Sequence, residues 1–436
     1  MANSRGGYDV AVIGAGFAGV VAARDLSVEG HSVVHLEARD RIGGRAHTGE
    51  AFGRPLEFGG AYVHWTQPHI WRELRRHRIP LVPPLATDTV HWLADGAVHT
   101  GSRLDYGNAV GPLMARCFAD ARERFPLPFD LAATDTTAIE KETLADRLDA
   151  LHLSAYDRDL LDGGLAALVH DHRRHGVAQL LLGVATYFGD WSAFFETASL
   201  WPIEGGTRRL LDAVAAESRA DLRLATPVTA VEDDGAGVTV TTRDGRRIRA
   251  RAAVVAVPLN ALGDVTLTPQ PAPPARDMIE RKLPMRTVKI WARVRGEIEP
   301  FCAFAPLGKN PVNAARVEYR HQGDTLLMCL ASDASAISAD DREAVQRALR
   351  TFVLDLDVRE TAGHDWANDP FSQGTWAMHR PGDLTGAVPR LREPLGRLRF
   401  AGGDIAALEA GSIEGAMASG ARAARDIAAA LLDGSC

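Results

Sequence analysis

The sequence predicts an α/β protein in which a doubly wound, Rossmann-like domain is interrupted by a second, α+β domain. Three observations predict it. Near the N-terminus, YDVAVIGAGFAGVVAARDLSVEGHSVVHLE reads as strand, glycine turn, helix and strand. Near the other end, RLRFAGGDIAALEAGSIEGAMASGARAARDIAAALL reads as strand, glycine loop and long helix. The whole chain has 436 residues, more than one ordinary core holds, so two domains are expected.

The first strand is the apolar run from Val10 to Ile13. Gly14-Ala15-Gly16-Phe17-Ala18-Gly19 follows, and a helix runs to about Val28, stopped by Gly30. Gly14 permits the tight turn, Gly16 lets a pyrophosphate reach the backbone at the helix N-terminus, and Gly19 lets helix and strand pack closely. Glu37 closes the second strand, where a carboxylate accepts hydrogen bonds from ribose hydroxyls and disfavours a 2′-phosphate. A ligand-free turn is the alternative for the bare glycine pattern; the strands on both sides favour a dinucleotide site. Next comes ARDRIGGRAHT, with Arg39, Arg41 and Arg45 around Gly43-Gly44. Arginines beside a glycine pair suit a second pass over a diphosphate, and a solvated basic loop is the alternative. A nicotinamide enzyme rarely needs this extension, whereas an FAD lying back along the protein does.

Composition excludes more than it identifies. Hydrophobic residues make up 46% and charged residues 24%, the balance of a soluble globular chain. A net charge of -7 gives no reason to expect nucleic acid or an anionic membrane as a partner. No apolar run is long enough to span a bilayer. MANSRGGYDV has no apolar signal core, so export is not expected. Cys117, Cys302, Cys329 and Cys436 are scattered without ligand spacing, which fits a reduced, cytoplasmic compartment and no disulfide framework. HDHRRH places His170, His172 and His175 at no standard zinc spacing, so a solvated turn or helix face is expected there and no metal.

LEARDRIGGR resembles the segment that follows the dinucleotide fold in the FAD-dependent amine oxidases. That family includes monoamine, polyamine and L-amino acid oxidases and bacterial nicotine-degrading oxidases. LEFGGAYVHWTQPHIW carries the family's Gly-Gly, aromatic run and Gln-Pro, and its wording is closest to the bacterial nicotine and pseudooxynicotine amine oxidases. The resemblance covers nearly the whole chain in five segments. It implies the amine oxidase fold, with an FAD-binding domain assembled from residues 1–80, 205–265 and 396–436. The substrate domain is then helical over 81–204 and sheet-forming over 266–395. The implied flavin contacts in the first turn are Gly14, Gly16, Phe17, Ala18 and Gly19. Glu37, Ala38, Arg39, Gly44 and Arg45 follow them, then Gly60, Ala61 and Tyr62. Val228 in LATPV is implied to pack against the adenine.

Residues 70 to 200 read mostly as helices, with PLVPPL and RFPLPFD as connectors. LWPIEGGTRRLLDAV resembles the family's second glycine pair, and strands follow it with turns at Asp234-Gly235 and Asp244-Gly245. AAVVAVP reads as a buried parallel strand. LPMRTVKIWARV alternates as a strand and carries Lys289. A half-buried lysine needs a partner or a task, and an exposed edge lysine is the alternative. The resemblance implies that Lys289 holds a water against the flavin and assists oxygen chemistry. Trp376 reads as core on bare sequence, but it matches the family's aromatic residue beside the substrate. Thr375 stands where monoamine oxidases carry a cysteine linked to the flavin, so FAD is expected to be noncovalent.

In the C-terminal stretch, Asp404 follows a glycine pair at a strand end, placed to accept a ribityl hydroxyl beside Gly403. The helix beginning near Ile413 turns its positive end toward that loop. Many amine oxidases have tryptophan at the position of Glu409 and tyrosine at that of Ser412, the latter forming an aromatic cage with the residue at Trp376. Ser412 leaves the cage half open. Glu409 either anchors a cationic substrate or faces solvent.

The implied reaction oxidises the C–N bond of a primary or secondary amine to an imine, which hydrolyses to a carbonyl, while oxygen becomes hydrogen peroxide. An aromatic or heteroaromatic amine suits Trp376, Tyr62, His64 and Trp65. The alternatives are a flavin desaturase or dehydrogenase using another electron acceptor, and a non-catalytic flavin-binding protein whose cage has decayed. Homodimers are common in the family, but no segment here shows an interface.

Overall fold

The computed structural model of the protein describes residues 7–131, 135–197, 201–434 and 436. Residues 1–6, most of the stretch read as lacking a signal core, lie outside them, as does Leu200 of the second glycine-pair segment.

Eight strands form the first sheet. Tyr8–Ile13 lies at its centre, parallel to Val33–Leu36 on one side and to Arg247–Val255 on the other. Asp221–Arg223 extends the parallel series beyond Val33–Leu36, and Leu398–Phe400 pairs in parallel with Arg247–Val255. Val228–Asp233 and Val238–Thr242 continue the sheet antiparallel, and Thr266–Thr268 closes that edge from beyond the boundary expected at residue 265. Val10, Ala11, Val12, Ala252, Ala253 and Val254 are fully buried, and burial on both faces is why these strands read as continuous apolar runs. Ile13 stands opposite both Leu36 and Val255, and Val255 opposite Phe400, so four strands from distant parts of the chain end at one level. The helices Phe17–Val28 and Ile413–Leu432 cross at Gly420, where a Cβ would lie 2.2 Å from the Ala18 carbonyl oxygen. This close approach explains the small residues of the C-terminal helix.

The second sheet has seven strands and is antiparallel except where Phe301–Phe304 runs parallel to Thr89–Ala94. Thr89–Ala94 and Ala97–Ser102 form a hairpin inside a stretch read above as mostly helical. Asp95 and Gly96 turn it with φ of 49° and 75°, the two positive values that a tight hairpin turn demands. The helices Arg103–Cys117, Leu144–Ala150, Ala155–Leu165 and Ala178–Thr186 cover this region, burying Phe125, Leu148, Leu161 and Leu181 together with Trp92. The HDHRRH stretch corrects another expectation. His175 is fully buried rather than solvated, and burial pushes its imidazole down to about 3 with the neighbouring histidines adding to the effect, so it is neutral. Its Nε2 accepts a hydrogen bond from the His170 amide at 3.1 Å. The four cysteines are free, and among the described residues no helix is long and apolar enough to cross a membrane.

Candidate active site

The four aligned strand ends open onto a cavity of about 1200 Å³, and the residues that follow them, Gly14, Glu37, Ala256 and Ala401, line it. This is the crevice in which parallel α/β sheets bind ligands. Gly14 has φ of 97°, and a Cβ there would lie 2.6 Å from the Ala256 carbonyl oxygen. A Cβ on Gly19 would lie 1.8 Å from the Gly14 carbonyl oxygen, so Gly19 serves packing and is not on the cavity wall. Gly16 differs: a Cβ there would meet no protein atom closer than 4.0 Å, and the residue faces the cavity at the start of the helix. Sequence reasoning missed His35, whose Nε2 lies 3.0 Å from the Gly14 carbonyl oxygen. Burial pushes His35 down to about 4, against the pull of that carbonyl, so a neutral ring supports the turn.

Glu37 is 4% exposed. One carboxylate oxygen accepts the Ala15 amide at 2.6 Å and the other the Arg39 amide at 2.8 Å. Phe17, Ala18, Ala38, Gly44, Gly60, Ala61, Val228 and Ile413 all reach the same cavity. The three arginines part company. Arg39 lines the wall but is tied to Asp369 at 2.5 Å and to Ser372 at 2.9 Å. Although burial opposes it, the His364 hydrogen bond and the Arg39 charge hold Asp369 down at about 2. Arg45 donates to the Thr375 carbonyl and to Asp404 Oδ2. Arg41 is off the wall, bonded to the carbonyls of Ile42 and Gly44 in its own turn, so its expected place beside a diphosphate is corrected.

Asp404 is 3% exposed, and its Oδ2 also accepts the Leu259 amide at 2.9 Å. Its Oδ1 is ion-paired with Arg45 at 2.8 Å. The hydroxyls of Thr287 and Thr375 are buried on the cavity wall without partners. Buried polar atoms are rarely left unpaired, and these two hydroxyls, with the Asp404 carboxylate beside them, fit a polar, elongated group seated along the wall. A dinucleotide with hydroxyls and a polar ring system has that character.

Lys289 is not an edge residue. Its strand, Val288–Val294, pairs with Asp324–Ala331 on one side and Val358–Gly363 on the other. Its Nζ lies 2.5 Å from the Gly59 carbonyl oxygen and 5.4 Å from the centre of the Tyr62 ring. Burial lowers Lys289 to about 8, with Glu57 and Glu318 pulling it back up and Arg316 pushing it further down. The neighbouring carbonyls are held too: Trp291 Nε1 donates to Glu57 O at 2.9 Å and Trp366 Nε1 to Phe58 O at 2.8 Å. Three successive carbonyls are thus fixed by side chains from elsewhere in the chain. The Arg316–Glu318 pair was missed in the sequence. It lies on the same wall with contacts of 2.5 and 3.1 Å, and the Arg316 guanidinium sits 4.7 Å from the Tyr62 ring centre.

Beyond Tyr62 the cavity becomes an apolar, aromatic chamber lined by Tyr106, Val110, Met114, Phe194, Phe304 and Trp376. Tyr106 stacks on Phe304 with ring centres 5.0 Å apart. Trp376 Nε1 donates to the Leu168 carbonyl at 3.3 Å. His64, Glu409 and Ser412 also line the cavity, so Glu409 faces it and not only solvent. Its Oε2 lies 3.6 Å from His64 Nε2. The Ser412 hydroxyl is already committed as the helix cap, accepting the Gly415 amide at 3.0 Å and donating to the Glu409 carbonyl at 2.8 Å. Trp65 is corrected outright. It is 54% exposed, off the wall, and packs edge-on against Trp201, whose strand pairs with Tyr62–Val63.

Residues 17–428 match the family model described as flavin containing amine oxidoreductase. Pseudooxynicotine dehydrogenase of Pseudomonas sp is 32% identical over 432 residues, covering 97% of this chain and 87% of that protein. (S)-6-hydroxynicotine oxidase of Paenarthrobacter nicotinovorans is 30% identical, covering 94% of this chain and 97% of that protein. Among solved structures, cyclohexylamine oxidase from Brevibacterium oxydans IH-35A matches the fold with a TM-score of 0.83 at 23% identity, over 98% of this chain and 100% of that one.

Proposed function

This chain belongs to the flavin containing amine oxidoreductase family and is an FAD-dependent enzyme acting on amines, and on that premise we propose that its substrate is a small amine on an aromatic or heteroaromatic body. The amine is oxidised to an imine, water hydrolyses the imine to a carbonyl product, and oxygen takes the electrons as hydrogen peroxide. The observation that carries this reading is that one continuous cavity is lined both by Glu37 and the glycine turn and by the aromatic chamber at Trp376.

FAD, when bound, supplies the two-electron acceptor for a hydride equivalent leaving the carbon next to the amine nitrogen. The chain supplies position, dryness and charge. Glu37 offers the dinucleotide's ribose an acceptor, Gly16 a bare backbone for its diphosphate, and the Asp404 carboxylate, held by Arg45, an acceptor for a further hydroxyl. Thr375 has no thiol to form a thioether, which supports noncovalent binding. Trp376 and the stacked Tyr106–Phe304 pair give a flat apolar body a place to lie. The Glu409 carboxylate draws a cationic amine into the cavity, and Lys289 Nζ holds a polar point at the Gly59 carbonyl where oxygen chemistry needs one. Four free cysteines support a reducing, cytoplasmic setting.

A second reading is a dehydrogenase passing its electrons to an acceptor other than oxygen. The Pseudomonas relative, named as a dehydrogenase, favours it. One experiment separates the two. The yellow protein is titrated without oxygen with benzylamine, cyclohexylamine, putrescine, nicotine and pseudooxynicotine, and air is then admitted. Bleaching by an aromatic amine followed by prompt recovery with peroxide is the expected result. Bleaching without recovery favours the dehydrogenase, and a spectrum that no amine bleaches overturns the amine reading.

A further inference from the structure

A cationic amine attracted by Glu409 cannot be oxidised until it loses a proton, because the nitrogen lone pair must be free. The cavity wall at Glu409 continues into a line of proton-carrying groups. Glu409 Oε2 is 3.6 Å from His64 Nε2, a gap that one small movement or one water closes. His64 is 4% exposed, and its Nδ1 is 2.8 Å from Thr66 Oγ1. Thr66 Oγ1 is in turn 2.7 Å from the Tyr187 hydroxyl, in an exposed pair. His64 and Glu409 line the cavity, whereas Thr66 and Tyr187 do not. His64 is held in place on both sides: its amide donates to Gln67 Oε1 at 3.1 Å, and its carbonyl accepts Trp71 Nε1 at 2.8 Å.

We propose that Glu409, His64, Thr66 and Tyr187 form a proton relay that takes the proton of the bound ammonium from the cavity to the surface. This rests on the amine reading of the site. The ammonium N–H bond breaks and its proton passes to Glu409, then to His64 Nε2. The Nδ1 proton of His64 moves to Thr66 Oγ1, the threonine proton to the Tyr187 oxygen, and the Tyr187 proton to water. One proton enters, one leaves, and no electron moves. Histidine is the side chain suited to the central position because one ring nitrogen can take up a proton while the other releases one. The titratable groups around it are Glu409 and Tyr187, with Glu196 also on the cavity wall and, in the helix Pro68–Arg76 that follows, His69 paired with Glu414 at 2.6 Å. Burial raises the Tyr187 phenol, against the hydrogen bonds of Thr66 and Thr197 and together with the charge and hydrogen bond of Glu409, so it stays a hydroxyl able to pass a proton.

Thr66 is a positioning residue, which makes it the site to test. Thr66→Val and Thr66→Ser are compared with wild type in anaerobic stopped-flow reduction of the flavin across pH, using the amine from the panel above that reduces wild type fastest. In Thr66→Val the rate falls about tenfold where the amine is mostly protonated and converges on wild type where free base is supplied; Thr66→Ser restores the wild-type profile. An equal loss at every pH, or no loss at any, overturns the relay while amine oxidation stands. A wild-type protein that none of the amines reduces removes both.

Discussion

The Lys289 ammonium lies 2.5 Å from the carbonyl oxygen of Gly59, which joins an interior strand of the second sheet to the glycine pair on the cavity wall. Removing that contact changes both chemistry and stability. Lys289→Met is expected to slow reoxidation of the reduced flavin by oxygen roughly a hundredfold, the scale for losing a preorganised polar group, with a much smaller change in anaerobic reduction. Equal slowing of both half-reactions would remove the assigned role.

The same lysine sets a pH dependence. Its folded value of about 8 lies below the ordinary lysine value, because burial penalises the charge. Between about 8 and about 10.4 the unfolded chain therefore binds more protons than the folded one at this residue, and stability rises with pH across that window. The gain is at most on the order of 3 kcal/mol. Urea midpoints of wild type and Lys289→Met, followed from pH 7.5 to 10.5 (roughly the window above), are expected to diverge in favour of wild type; parallel curves would show that Lys289 is not shifted.

Two glycines of one motif have opposite dependences. A Cβ at Gly19 would overlap the Gly14 carbonyl oxygen at 1.8 Å, a backbone atom, so Gly19→Ala forces helix and strand apart. A loss of roughly 3 kcal/mol or more is expected. Gly16 has an ordinary extended backbone with φ of -72° and room for a methyl group. Gly16→Ala is expected to keep its urea midpoint and lose FAD affinity, since the methyl occupies the space a diphosphate needs. Titration of each variant with FAD beside a urea curve checks both halves.

The glycine turn, Glu37 and the strand–loop–helix around Asp404 were legible because each is a local device, carried by residues within one supersecondary unit. What escaped was long-range or directional. The hairpin at Thr89–Ser102 lay among helical segments, though HWLADGAVHT holds alternation and an Asp-Gly turn. Trp65 shares a run with Tyr62 and His64, and no spacing in a two-residue strand tells which way it turns. Arg39 reads as a free cation until Asp369, 330 positions away, is brought against it. Arg316 and Glu318 looked like ordinary polar residues of an alternating strand, and only the placement of Tyr62 and Lys289 shows that they face the cavity.

Thr375 stands beside the arginine that also holds Asp404, its carbonyl accepting from Arg45 and its hydroxyl unpaired. A hydroxyl there cannot form the thioether that a cysteine forms. Acid precipitation is expected to leave the pellet colourless and all the flavin in the supernatant. Yellow retained in the pellet would contradict noncovalent binding.

Glu409 adopts φ of 54°, a left-handed conformation that a non-glycine residue rarely holds without cause. Among the described residues its ion-pair neighbour within 4 Å is His64. A carboxylate held at a cavity wall without an arginine or lysine partner retains its attraction for an incoming cation. Glu409→Gln keeps the shape of the side chain and removes the charge. The expected result is a KM about tenfold higher for a cationic amine, a loss of about 1.4 kcal/mol in binding. A neutral aromatic inhibitor of similar size is expected to bind both proteins equally. An unchanged KM for the amine would mean that the carboxylate does not attract the substrate, and equal weakening of the neutral inhibitor would mean that the substitution had altered the shape of the cavity instead of its charge.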